Sequence, residues 1–318
     1  MAIVLAAVCA CTAPLDKGPA QTTDPVIEPT QVAENIWYFH GASGVAAAAN
    51  EGYTSNAGFV VTHDGVIVFD ALGTPALGRA MLRAIASITP LPVKRVIVSH
   101  YHADHMYGLQ PLKAAGAEIW ARAEGQAYLA SDIAAERLQQ RRSELAPWVD
   151  DKTRLLPADR WLSFPESGTI PFDFGGVHFE LIDGGDSHSP GDLMLLIRDA
   201  GVLFAGDLFF TGRLPYVVDG NTRDWLGALE RMARSSPSVV VPGHGSVSYD
   251  VATDLDLTRR YLRYLRKTMG AAATELESFD TAYARTDWSA FEMLPTFDQA
   301  NRRNAYSVFL EMQAESLN

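Results

Sequence analysis

The most informative absence from this 318-residue sequence is cysteine, which occurs only at Cys9 and Cys11. The rest of the chain therefore has no disulfide framework, no cysteine metal ligand and no cysteine nucleophile. Any metal site there must be built from histidine and carboxylate side chains.

Basic residues are also scarce, because 26 lysines and arginines face 38 acidic residues and the net charge is −12. Broad binding to nucleic acid or to an anionic membrane needs a basic surface that displaces counterions. The charge therefore argues against both kinds of partner. A 47% hydrophobic composition supports a substantial core, in one large α/β domain or two small ones.

The apolar run that opens the chain, MAIVLAAVCACTAP, is too short to span a bilayer as a helix. With the Pro-, Thr- and Gln-containing stretch that follows, it indicates an export signal and linker over residues 1–30. Residues 8–11, VCAC, resemble a lipoprotein signal-peptidase box, in which Cys11 would be lipidated and become the mature N-terminus. The usual positive region before such a box is missing, and a disordered apolar tail is the alternative. We expect a periplasmic protein or a lipoprotein facing the periplasm, with residues 31–318 as a single domain.

Strand and helix patterns recur in two successive sets. The first set comprises IWYF at 36–39, a hairpin of GFVVT and VIVFDA, a helix over 75–88, the strand VKRVIVS, a helix over 109–115, a strand over 118–121 and a long helical stretch to about residue 148. The second set comprises strands over 177–182, 193–197 and 202–205, a helix over 222–234, the strand SVVVP and long helices from about residue 249. This order predicts two packed sheets with helices outside each, as one domain.

Residues 99–105, SHYHADH, start where a predicted buried strand ends and group His100, His102 and His105 around Asp104. As cations these imidazoles would repel one another, and as neutral rings they would need several separate partners. A divalent metal satisfies all of them at once. A chance cluster of hydrogen-bonded core histidines is the alternative.

Three more metal-capable residues follow predicted strands: His188 in GGDSHSPGD, Asp207 in VLFAGDLFF and His244 in VVVPGHG. Each is weak alone, because a histidine after a strand is more often a loop residue and an aspartate there can cap a turn. Their joint occurrence downstream of SHYHADH favours one shared metal site.

The pattern H-x-H-x-D-H, followed by a lone His, Asp and His, resembles the metallo-β-lactamase superfamily of metallohydrolases over roughly residues 33–247. The resemblance implies an α/β fold, a four-layer αββα sandwich, here with C-terminal helices, and a site for two Zn²⁺ per chain. Iron or manganese are alternative metals. By resemblance, the first zinc takes His100, His102 and His188, the second takes Asp104, His105 and His244, Asp207 bridges the two, and Asp70 orients a ligand histidine.

The residue at position 207 indicates which branch of the superfamily the sequence resembles. The β-lactamase subclass with a cysteine ligand carries it where this chain has Asp207, whereas glyoxalase II and lactonases carry aspartate there. The stretch FAGDLFFTGRLPYVVDGNTRDWL and the closing NRRNAY resemble exported zinc metallohydrolases associated with quinoprotein systems.

The expected activity is hydrolysis of a small ester, lactone or thioester, with weaker β-lactam cleavage, by a metal-bridging hydroxide that the catalytic Asp104 orients. The alternatives are a true metallo-β-lactamase, a mononuclear iron oxygenase resembling persulfide dioxygenase, and a non-catalytic metal-binding module. His105 and His244 would be superfluous in the mononuclear scheme. Four residues are candidates for substrate contact, although a loop packed by its own side chains is an equal alternative. They are Tyr101, Arg213, Tyr216 and Asn221.

Overall fold

The computed structural model describes residues 24–317. Its first sheet contains seven strands in sequence order: β1 (Pro29–Ala33), β2 (Ile36–Phe39), β3 (Ala57–Thr62), β4 (Gly65–Phe69), β5 (Val93–Ile97), β6 (Glu118–Arg122) and β7 (Arg160–Leu162). Strands β1 to β4 are antiparallel, and β4 to β7 are parallel. The second sheet has the order β12-β11-β10-β9-β8, formed by β8 (Thr169–Phe174), β9 (Val177–Gly185), β10 (Asp192–Ile197), β11 (Val202–Phe204) and β12 (Val239–Val241).

Helices cover the outer face of each sheet. Those on the first half of the chain are α1 (Pro75–Ile88), α2 (Ala103–Met106), α3 (Leu109–Ala114), α4 (Gly125–Leu129) and α5 (Asp132–Glu144). Those on the second half are α6 (Thr222–Arg234), α7 (Val251–Thr274), α8 (Phe279–Arg285) and α9 (Phe297–Ser316). Helix α1 shows why the predicted bounds hold, because Thr74 caps the Leu77 N–H and Pro75 occupies the first turn.

Three buried clusters define the layers. One lies between the sheets and includes Phe179, Leu195 and Phe204. The second packs the first sheet against α1 and its neighbours, and the third packs the second sheet against α6, α7 and α9. The four-layer αββα arrangement with C-terminal helices that the sequence predicts is confirmed.

Two local predictions differ from the structure. Strands β1, β7 and β8, all of which lie at sheet edges, are absent from the sequence-based prediction. Edge strands pair on one side and stay half-exposed, so their hydrophobic pattern is weak, and Pro171 inside β8 is typical of an edge. The long helix expected to reach residue 148 is divided into α4 and α5, because Ser131 caps a new helix at the Ala134 N–H, and α5 ends at Glu144.

The predicted export segment falls mostly outside the described residues, which begin at Asp24. From there the chain packs on the domain: Asp24 forms ion pairs with Arg79 at 2.6 Å and Arg83 at 2.8 Å, and Ile27 is buried. Among residues 24–317 no helix is both long and apolar enough to cross a bilayer.

Candidate metal centre

The predicted ligands follow strands whose ends meet at one edge of the sandwich. SHYHADH begins just after β5, with His102 immediately before α2 and both Asp104 and His105 inside that short helix. His188 follows β9, Asp207 lies just after β11, and His244 comes after β12. A hydrogen bond from the Leu193 N–H to the Ser99 carbonyl, at 3.0 Å, joins the two sheets at this edge.

The first group of potential ligands is His100, His102 and His188. One nitrogen from each lies within 4.8 Å of the others. His188 Nε2 is 2.9 Å from His102 Nδ1, so these two rings present different nitrogens to the same point. Three imidazoles with converging nitrogens are a donor set that zinc accepts well.

The second group is Asp104, His105 and His244, whose donor atoms also lie within 4.8 Å of one another. Asp104 Oδ2 is 3.3 Å from His244 Nε2 and 3.8 Å from His105 Nε2. The structure thus gathers the predicted second set around its own centre.

Asp207 lies between the two groups. Its Oδ1 is 3.1 Å from His105 Nε2, and its Oδ2 is 3.3 Å from both His188 Nε2 and His244 Nε2. One carboxylate therefore faces histidines of both sets, as a bridging ligand must.

Asp70 supports histidines of both groups from behind. Its Oδ2 lies 2.8 Å from His105 Nδ1 and accepts the Ser99 hydroxyl at 2.8 Å, while its Oδ1 accepts the Ser99 N–H at 2.7 Å. Because the Ser99 proton is used on Asp70, Ser99 Oγ accepts from His100 Nδ1 at 2.9 Å. These contacts keep Nε2 of both rings free for the centre.

The outer nitrogens of the remaining histidines also face oxygen acceptors. His188 Nδ1 is 3.0 Å from the Tyr216 carbonyl, and His244 Nδ1 is 2.7 Å from the Thr54 carbonyl. His102 Nε2 is 3.3 Å from Asp219 Oδ2. All five predicted ligand histidines thus have a partner at the outer ring nitrogen, which fixes the ring and turns the other nitrogen towards the metal centre.

Three inward atoms show that these residues fit a metal ion. His100 Nε2 is buried and has no hydrogen-bond partner within the described chain, and His105 Nε2 and Asp207 Oδ1 are buried and, although 3.1 Å apart, form no hydrogen bond. Such atoms are costly to bury unless something binds them. A divalent cation at each group would satisfy them and offset the carboxylate charges.

The electrostatics divide the histidines into two kinds. Burial lowers the pKa of His188 to about 3, and burial together with the neighbouring imidazoles lowers the pKa of His100 well below its usual value. Burial also disfavours charge on His105, but the carboxylates of Asp207, Asp70 and Asp104 outweigh it and raise the His105 pKa well above the usual value. The second group is therefore the more anionic one.

The site opens to solvent on one side. The Asp104 side chain is 25% exposed and that of His102 is 18% exposed, whereas His105 and His188 are closed off. A substrate can therefore approach the centre past Asp104 and His102.

Two of the four predicted substrate contacts have other roles. Tyr101 is a core residue: its ring lies 5.7 Å from that of Trp161, and a Cβ at Gly125 would meet it at 2.5 Å. This core position does not support the expected substrate contact of Tyr101, which stays a prediction. The Asn221 side chain accepts the Arg223 and Asp224 N–H groups, each at 3.0 Å, and so caps α6.

The other two candidates lie beside the centre. Arg213 is buried with its Nη1 3.1 Å from His244 Nδ1, and burial lowers its guanidinium pKa. Tyr216 supplies its carbonyl to His188, and its ring is 6.4 Å from that of His188. Whether either binds substrate stays a prediction.

Three partners that hold the ligand histidines are absent from the sequence-based prediction, namely Ser99, Thr54 and Asp219. Ser99 directly precedes His100, and Asp219 lies in the stretch quoted above after Asp207. The position of both residues next to predicted ligands in the sequence was the signal that could have identified them. Thr54 acts through its backbone carbonyl, which no side-chain pattern could indicate.

The sequence profile of the Metallo-beta-lactamase superfamily matches residues 51–244, and the chain belongs to this family. The match contains all seven predicted ligands. It stops before the C-terminal helices, which begin at Val251.

Several known proteins are similar. The 2,4-dinitroanisole O-demethylase subunit alpha of Nocardioides sp. (strain JS1661) is 29% identical over 57% of this chain, which spans only 49% of that protein. Hydroxyacylglutathione hydrolase GloC of Haemophilus influenzae is 29% identical over 49% of this chain and 70% of its own length. Among solved structures, the metallo-beta-lactamase FIM-1 of Pseudomonas aeruginosa in its mono-zinc form has a TM-score of 0.59 at 18% identity, covering 76% of this chain and 99% of FIM-1. This last likeness shows the shared fold.

Proposed function

We propose that the protein is a dinuclear zinc-dependent hydrolase that attacks the carbonyl of a small ester, lactone or thioester. The observation that carries the proposal is the position of Asp207, whose two oxygens face histidines of both ligand groups at 3.1–3.3 Å. A mononuclear centre would not need the second group of Asp104, His105 and His244.

The residues of the chain would hold and orient the reactants. Zinc at these groups would supply Lewis acidity and acidify a water molecule in the site. At the opening, the Asp104 side chain is more exposed than that of His102. Its carboxylate is therefore placed to accept a proton from that water molecule and to orient the water. The Ser55 hydroxyl donates to the Asp104 carbonyl and fixes the start of α2.

Asp207 also bears on the substrate class. A carboxylate makes the surroundings of the second metal harder and richer in oxygen than a thiolate would. Hydroxyacylglutathione is an acyl thioester, so the similarity to hydroxyacylglutathione hydrolase GloC supports acyl thioesters as one substrate class. A strained β-lactam presents the same kind of carbonyl, so we propose weaker β-lactam cleavage as a side activity.

Metal analysis and a substrate panel test this proposal together. Purified full-length protein should contain close to two zinc ions per chain and hydrolyse activated esters, lactones or thioesters faster than a chromogenic lactam. One iron per chain with sulfur-dependent oxygen uptake would support the oxygenase instead. A lactam preference of about a hundredfold in kcat/KM, roughly 2.7 kcal/mol, would make the protein a true β-lactamase.

A substitution separates a catalyst from a metal-binding module. Asp104→Ala should abolish hydrolysis. It should leave the circular dichroism spectrum unchanged, because α2 is a short helix and the Asp104 carboxylate faces the opening and not the core. Unchanged turnover of a model ester by this variant would contradict the proposed role of Asp104.

We also propose that the protein is exported, with Cys11 as a lipid anchor. The support is the sequence of residues 1–14 alone, which lie outside the described part of the chain.

A further inference from the structure

Helix α9 binds the backbone on both sides of Tyr216. Asn304 Oδ1 accepts the Val217 N–H at 2.9 Å, and its Nδ2 donates to the Pro215 carbonyl at 2.8 Å. The same Nδ2 donates to the Tyr261 hydroxyl at 3.0 Å, so the amide uses both of its N–H groups and its oxygen. Asn304 is fully buried at 0% exposure.

The same face of α9 holds the rest of this segment, residues 215–222, which we call the brace loop. Ser307 Oγ donates to the Val218 carbonyl at 2.8 Å, and Glu311 accepts the N–H and the hydroxyl of Thr222 at 3.0 and 2.8 Å. Positions 304, 307 and 311 repeat at the three- and four-residue spacing of one helix face. The brace loop is therefore bound along its length by one side of α9.

The other side of the brace loop faces the first metal group. The Tyr216 carbonyl lies 3.0 Å from His188 Nδ1, and Asp219 Oδ2 lies 3.3 Å from His102 Nε2. Two of the three histidines in that group thus take their outer partner from a segment that α9 holds.

We propose that Asn304 is a positioning residue for the first metal group, fixing the Tyr216 carbonyl that orients His188. This rests on the proposed metal-dependent function. It gives a role to the NRRNAY motif and connects helix α9, which lies outside the family match at 51–244, to the metal centre through the brace loop. The outer partner of a ligand histidine fixes its tautomer and ring direction, and loss of such a partner typically weakens metal binding about 10- to 100-fold.

The chain offers a matched control in Asn301, which is on the same helix and equally buried at 0% exposure. Its amide bonds only to the hydroxyls of Tyr261, at 2.8 Å, and Tyr283, at 3.1 Å. Both amides bond to the Tyr261 hydroxyl, but only Asn304 bonds to the brace loop. Asn301→Ala should therefore disturb α9 packing as Asn304→Ala does and leave the hydrogen bonds from Asn304 to the brace loop in place.

The experiment measures zinc affinity of the full chain by competition with a chelator, for both variants in an Asp104→Ala background. That background leaves the second group incomplete, so the remaining tight zinc reports the first group. Asn304→Ala should lower the affinity for this zinc ion about 10- to 100-fold, and Asn301→Ala should leave that affinity unchanged. Equal affinity in Asn304→Ala and its parent, or an equal loss in Asn301→Ala, would overturn the proposal.

A second readout needs no metal. In the metal-free protein, ¹⁵N NMR should show His188 protonated at Nδ1, with that signal shifted or lost in Asn304→Ala and kept in Asn301→Ala. A signal that is the same in all three proteins would overturn the positioning role, whereas failure of the wild type to bind zinc would overturn only the proposed function. If Asn304→Ala does not fold, Ser307→Ala replaces it, because this change removes one hydroxyl from the same face of α9. Ser307→Ala should also lower the zinc affinity, by a smaller factor. An unchanged zinc affinity would count against the proposal.

Discussion

His105 Nδ1 and Asp70 Oδ2 lie 2.8 Å apart, with side chains 0% and 1% exposed. Asp70→Ala would leave His105 Nδ1 and the Ser99 N–H buried without an acceptor. Breaking such a buried pair costs about 3–5 kcal/mol, and loss of the outer partner weakens metal binding about 10- to 100-fold. Denaturant unfolding and chelator competition measure the two effects.

Asp159→Ala is the control for Asp70→Ala. The Asp159 carboxylate also accepts a backbone N–H, from Ile119 at 2.7 Å. Its side chain is 36% exposed, however, and its partners are Ile119 and Lys113, neither of which is a predicted metal ligand. Its removal should cost about 1 kcal/mol and leave zinc affinity unchanged. Wild-type zinc affinity in Asp70→Ala would show that His105 does not depend on this carboxylate.

Gly243 leaves room for Asp207. A Cβ at position 243 would lie 1.9 Å from Asp207 Oδ1 and 2.6 Å from the Gly206 carbonyl carbon. Gly243→Ala should therefore displace Asp207, destabilise the fold by about 1–3 kcal/mol and reduce the zinc content. The measurements are thermal unfolding and elemental analysis.

Gly227→Ala is the matched control, because position 227 is inside α6 and its new Cβ would meet only Arg231 Nη1, at 3.6 Å. It should stabilise the protein by about 0.5–1 kcal/mol and leave the metal content intact. Two zinc ions per chain at wild-type stability in Gly243→Ala would contradict the bridging position of Asp207.

Zinc binding should release protons and weaken as the pH falls. Burial disfavours charge on His105 and His244, but nearby carboxylates, Asp207 first, raise the pKa of both rings. The metal-free protein therefore holds protons on these rings at pH values above the usual histidine pKa, and zinc must displace them. Calorimetry in two buffers of different ionisation enthalpy should show proton release, and buffer-independent heats would contradict it.

Export makes a prediction that is independent of the metal centre. If Cys11 is lipidated, the mature protein fractionates with membranes, and Cys11→Ser moves it to the soluble periplasm. Cys9→Ser serves as the control and should leave fractionation unchanged. Recovery of the full-length chain from the cytoplasm with Met1 retained would exclude both signal interpretations.

The sequence was most informative where residues repeat with a period or meet at a strand end. Helix α1 and helix α6 have the predicted bounds because capping residues, Thr74 and Asn221, mark where each begins. The seven ligands were predicted as one set, and the structure brings them together because each follows a strand that ends at the same edge.

What the sequence could not indicate depends on long-range contacts. Asn304 and Tyr216 are far apart in the chain, and Thr54 contributes only a carbonyl to His244. The packing of the Tyr101 ring in the core, beside histidines whose nitrogens converge on the centre, likewise depends on tertiary contacts that the sequence does not show.

The most direct test of a dinuclear hydrolase is a metal titration of activity. Metal-free full-length protein, assayed with the best ester or thioester from the panel, should gain activity up to two equivalents of zinc per chain and then reach a plateau. A plateau at one equivalent, or activity restored only by iron with oxygen consumed, would contradict a centre in which Asp207 joins two metal ions.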